Sequence, residues 1–275
     1  MNKKFDFTTL DCEERLGIAS SSMTGAGKFA SFFPGLILTA IFYGILSLLK
    51  LVWSNQVFIV MFFPGGAGNR SFIPVLTVFF AMWCLSMLLM KHSKLKVQKK
   101  LLAALLPLPA MEEKMQFISE NVCCPSDFAA ANILEQAKLM ESRNLDAAEK
   151  SVLIDSLIND YEKASDSSFI HISALIWAIP VLGFIGTVLG LAQAVGNFGE
   201  MAAGSNGFQA LLPQVTGGLA TAFETTLIAL CLALILQLLS SSARHAEEIF
   251  FQQLKLLLSA GCSCSESSES ENPGA

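Results

Sequence analysis

Residues 179–198 read IPVLGFIGTVLGLAQAVGNF, a run without a single charge that is nonetheless interrupted by four glycines, a proline, a threonine and a glutamine. A helix serving only as a lipid anchor has no use for such interruptions; leucine and valine would do. Within a bilayer, helices associate through small side chains and interhelical hydrogen bonds, because apolar burial gives no advantage there. Gly183, Gly186 and Gly190 recur at spacings of three and four, which puts them in one strip along a helix. Thr187 sits on the same side, and Pro180 can bend the helix ahead of the strip. The stretch therefore reads as a transmembrane helix that packs against other helices along its small-residue strip.

The rest of the chain fits that setting. Of its 275 residues, 53 % are apolar and only 15 % charged, against about a quarter charged in soluble domains. A net charge of −5 gives no electrostatic case for nucleic acid. The N-terminus mixes acids with its bases and has no short apolar core with a cleavage site, so it does not read as a signal peptide. Four stretches meet the roughly 20 apolar residues that a bilayer requires: Phe32–Trp53, Phe72–Met90, Phe169–Phe198 and Phe208–Ser241. The first two are joined by the glycine-rich turn FFPGGAGNR, and Lys50 can snorkel at the end of the first. The last two exceed what a bilayer needs, so they tilt or extend beyond it.

Bases set the orientation. Lys3, Lys4, Arg15 and Lys28 precede the first span, and Lys91, Lys94, Lys96, Lys99 and Lys100 follow the second. Only Lys50 and Arg70 belong to the first outer turn, and the loop 199–207 has none, which places both termini in the cytoplasm. The expected organisation is an all-α membrane protein with four transmembrane helices, the last two long and extending into the cytoplasm. It divides into a cytoplasmic N-terminal segment (1–30), spans one and two (31–90), a helical cytoplasmic insert (91–167), spans three and four (168–242), and a helical extension with a disordered tail (243–275).

In the insert, KLKVQKKLLAALL (94–106) reads as a basic amphipathic helix at the membrane surface or at the start of a rod, ended by Pro107 and Pro109. Ser126 or Asp127 can cap a helix over 128–164. No phosphate loop, metal-binding histidine pair or nucleophile motif occurs, so no enzyme and no cofactor is expected. The seven cysteines, at 12, 84, 123, 124, 231, 262 and 264, miss the usual zinc spacings and read as free thiols. Beyond the fourth span, Phe250, Phe251, Leu254, Leu257 and Leu258 gather on one side of an amphipathic helix.

The fourth span repeats the small-residue theme. Ala222, Thr226, Ala229 and Ala233 share a stripe, widened by Gly217, Gly218, Thr221, Thr225 and Cys231. A lone threonine in such a helix often does no more than bond the carbonyl four residues back; two of them centred in small-residue stripes leave that explanation and a functional one evenly matched. Glu224 is the only ionisable side chain between Glu200 and Arg244, and a charge at membrane depth is by default a functional hypothesis. It faces away from Thr226 and shares a side with Thr221. A structural role between subunits, pairing with a base near the outer surface and a proton relay all remain open to it, the first being favoured.

Two of these segments resemble known ones. LGFIGTVLGL (182–191) and TGGLATAFETTLIALCLALI (216–235), in that order and separated by a short outer loop, are similar to the last two spans of the MotA/TolQ/ExbB family of inner-membrane stator proteins. The resemblance covers residues 169–245; a chain of four spans with its insert after span two resembles MotA more than it resembles three-span ExbB and TolQ. It implies a homo-oligomeric ring, typically a pentamer, around the single spans of a MotB-, ExbD- or TolR-like partner whose membrane aspartate accepts the ion. By position, the pore threonines become Thr187 and Thr226, with Thr225 as the neighbouring candidate. Two departures stand out. Where ExbB and TolQ have a glutamate five residues before the last-helix threonine, this chain has Thr221, with its acid at Glu224; and Ala229 stands where glycine is usual.

The resulting expectation is a bacterial inner-membrane proton channel subunit that turns ion motive force into work for envelope transport or motility. Protons are the coupling ion, and no nucleic acid is involved. The competing expectation is a multi-span scaffold whose polar positions only knit helices together.

Overall fold

The computed structural model describes residues 31–52, 61–63, 72–108, 111–122, 128–141, 147–202 and 208–269, and these are helical almost throughout. In order they form α1 (Phe32–Val52), α2 (Ile73–Leu105), α3 (Met111–Asn121), α4 (Ala129–Glu141), α5 (Ala147–Ala202) and α6 (Phe208–Glu269). Four of them, α1, α2, α5 and α6, are long and apolar enough to cross a bilayer. The N-terminal segment 1–30, the capping pair Ser126 and Asp127, the Cys123–Cys124 pair, Arg70 and residues 203–207 of the outer loop lie outside the described residues.

Three boundaries differ from the sequence reading. The basic segment 94–106 is no separate surface helix: it continues α2 without a break, since nothing between Pro74 and Pro107 interrupts the backbone. The helix expected over 128–164 is instead α4 followed by the first turns of α5, which then run unbroken into the third apolar stretch. Residues 142–146 between them contain neither glycine nor proline, so the sequence carried no breaker to mark the division. Finally, α6 reaches Glu269, into the polar tail expected to be disordered, because no proline intervenes before Pro273 and a helix once formed propagates cheaply.

The chain separates into two units, with α2, α5 and α6 contributing residues to both. The first comprises Ser31–Leu88 and His171–Ser240. Here α1 meets α2 at its N-terminal end, where a Cβ on Gly35 would lie 2.8 Å from the Trp83 Cα; only a glycine allows that approach. Around it, Trp83 Nε1 donates to Ser31 Oγ at 3.1 Å, Ser86 Oγ donates to the Ser31 carbonyl at 2.9 Å, and Phe32 sits edge-on to Phe79 and Trp83. Gly35 is the buried residue of α1; most of that helix is exposed, and so are Trp177, Phe184 and Phe223 on α5 and α6. So much uncovered aromatic and aliphatic surface suits lipid or other protein subunits and not water.

The second unit comprises, among its described residues, Leu89–Ile170 and 241–269. Its core is assembled from Leu101, Leu102 and Leu105 of α2, Ile133 and Leu134 of α4, Ile158 of α5, and Phe250 and Leu254 of α6, all almost fully buried. The apolar side of α6 beyond Arg244 thus packs inside this unit. Gln98 of α2 crosses to α4, where its Oε1 accepts the Ala129 amide at 3.2 Å and so satisfies one of the orphan donors of that helix start.

A glycine-threonine seam and a buried charged clasp

In the first unit, α5 and α6 approach too closely for a side chain at three α5 positions. A methyl placed on Gly186 would lie 2.6 Å from Thr225 Oγ1, one on Gly183 2.6 Å from the Ala229 Cβ, and one on Gly190 2.7 Å from the Gly218 carbonyl. These distances are below any real carbon contact, so the seam exists only because these α5 positions lack a side chain. On α6 these glycines meet Gly218, Ala222, Thr225 and Ala229, all buried. Gly217 is half-buried and its carbonyl accepts the Thr221 hydroxyl at 2.9 Å. Pro180, inside α5 and one turn before Gly183, has no amide hydrogen for the carbonyl four residues back.

Of the two adjacent α6 threonines, Thr225 is in the seam, 1 % exposed, while Thr226 is at its rim and half-buried. Thr187 of α5 is also half-buried. Each hydroxyl donates locally: Thr187 to the Phe184 carbonyl at 2.7 Å, Thr225 to that of Ala222 at 3.0 Å, and Thr226 to that of Ala222 at 2.9 Å. Such a bond occupies the proton and leaves the oxygen's lone pairs as acceptors. Glu224 is half-buried, and Thr221, which the sequence puts on its side of α6, is buried.

The second unit holds a group of residues that the sequence reading did not single out. Lys91 of α2, 1 % exposed, places its Nζ 2.6 Å from Glu247 Oε1 of α6 and 3.5 Å from Ser165 Oγ of α5. The Ser165 hydroxyl donates to the other Glu247 oxygen. The buried ring of Phe169, one turn after Ser165, receives the Lys91 ammonium 3.9 Å from its centroid and the Arg244 guanidinium at 4.7 Å. A small cavity beside the pair is lined by Glu162, Asp166, Arg244 and Glu248 among others. The one signal available in the sequence was a lysine directly after an apolar span and an acid in an amphipathic helix, and both occur commonly on solvated faces.

Cys84 is buried, its thiol 3.9 Å from the Ile172 carbonyl, and Cys231 is exposed. Among the described residues, no group of histidines, cysteines and carboxylates is arranged to hold a metal ion. Comparison with curated proteins gives no match. Residues 126–254, which contain α4, α5 and α6 as far as Leu254, match the model of the MotA/TolQ/ExbB proton channel family, and the matched stretch includes the seam and the α5 and α6 sides of the clasp.

Proposed function

We propose that the chain is the ring-forming subunit of a motive-force transducer. Copies associate side by side in the bacterial inner membrane, as a pentamer in the family pattern, with both termini in the cytoplasm. They surround the single spans of a MotB-, ExbD- or TolR-like partner whose membrane aspartate takes up a proton. Thr187 and Thr226 line the route of that proton, and its passage turns one component against the other to drive envelope transport or motility. The chain makes and breaks no covalent bond and uses no cofactor beyond the proton itself.

The observation that carries this reading is the division of labour at the seam. Gly183, Gly186, Gly190 and Thr225 are consumed by packing within one chain, whereas Thr187 and Thr226 are left half-exposed at its edge. A hydroxyl with free lone pairs can join a water wire without holding a permanent charge. The local donation of both hydroxyls is the observation that favours the scaffold reading, in which these threonines serve their own helices.

Proton flux separates the two. The complex is purified from its native membrane with whatever single-span protein accompanies it, then placed in vesicles with a pH-sensitive dye inside. The transducer reading expects Thr187→Val and Thr226→Val to assemble normally and to lose most of the flux, on the order of tenfold or more, as when a positioned proton-transfer group is removed. Wild-type flux in both variants would leave the scaffold reading standing.

A further inference from the structure

The Lys91–Glu247–Ser165 group is costly for a purely stabilising contact. Taking an ammonium and a carboxylate out of water costs several kcal/mol each, and a buried pair recovers that only with good geometry; apolar side chains of similar volume often serve stability equally well. What apolar contacts do not supply is direction. A carboxylate whose two oxygens are engaged by an amine on one helix and a hydroxyl on another, with the amine also seated on a ring, admits one rotational setting of the helices that bear them. Three different helices meet here, α2 through Lys91, α5 through Ser165 and Phe169, and α6 through Glu247 and Arg244.

We infer that Lys91, Ser165 and Glu247 are positioning residues, a clasp that fixes the rotation of α2, α5 and α6 about their own axes. An unbroken helix advances about 100° per residue, so a rotation set at Glu247 is carried along α6 to the side on which Thr226 stands. The inference rests on the ion-path reading for its purpose. Its test does not, because it reads helix setting and not conduction.

The full chain is prepared with its native cysteines replaced and Thr226→Cys as reporter, in native membrane vesicles, and the labelling rate with a methanethiosulfonate is measured. The Lys91→Met/Glu247→Leu double variant is expected to unfold near the wild-type thermal midpoint, well above Lys91→Met alone, and to keep its oligomer size. Its labelling rate changes about twofold or more, the low end of what mutations along a coupled network produce. Lys91→Arg, which keeps the charge and the ring contact, labels at the wild-type rate. A wild-type rate in the apolar double variant overturns the proposal, and so does a Lys91→Arg rate shifted as far as that of the double variant. Should the double variant fail to accumulate, Ser165→Ala decides, since it leaves both charges in place: an altered rate supports the clasp and an unaltered one overturns it.

Discussion

Gly186 shows how much one absent side chain determines. With a hypothetical Cβ 2.6 Å from Thr225 Oγ1 and 2.7 Å from its Cβ, even alanine must push the two helices apart. Gly186→Ala is therefore expected to lower stability by about 1–3 kcal/mol, the usual cost of overpacking, and Gly186→Leu to prevent the folded chain from accumulating; thermal unfolding in detergent reads both. Ala222→Gly, in contrast, relieves no clash and leaves the seam closed. At Lys91 the asymmetry between losing one partner and losing both gives a second expectation. Lys91→Met alone leaves Glu247 buried without the amine it faces and costs about 3–5 kcal/mol, whereas adding Glu247→Leu recovers most of it. Thermal midpoints of the two variants check this, and an equal loss in both would contradict it.

At the scale of elements, α4 depends on a helix distant from it in sequence. Gln98 accepts the Ala129 amide, so Gln98→Leu is expected to destabilise the second unit by about 1 kcal/mol, as loss of an N-cap acceptor does, and to raise hydrogen exchange first at residues 129–132. Phe250, fully buried in the same core, is worth more: Phe250→Ala is expected to cost about 3–5 kcal/mol. Much of this level was legible beforehand. The four apolar helices and the glycine strip are periodic features of one segment each, and periodicity survives whatever the tertiary structure does. The clasp was not legible, because Lys91 and Glu247 are 156 residues apart and neither is unusual in its own neighbourhood. Nor did spacing reveal which α6 threonine packs: Thr225 and Thr226 differ by one step around the helix, and only the facing position of Gly186 assigns the seam to Thr225. The division between α4 and α5 was hidden for a third reason, the absence of any glycine or proline at 142–146.

For the molecule as a whole, the family match covers α4, α5 and most of α6, while the exposed faces of α1, α5 and α6 call for lipid or further subunits. Everything proposed about function depends on one arrangement, in which Thr187 and Thr226 of successive copies face a common axis that another polypeptide's helix occupies. A density map of the complex taken from its native membrane tests it most directly. The expected map shows a closed ring with foreign single-span helices on its axis and those two hydroxyls turned towards them. A map in which Thr187 and Thr226 face the lipid, or in which the copies leave no axial opening, would contradict it.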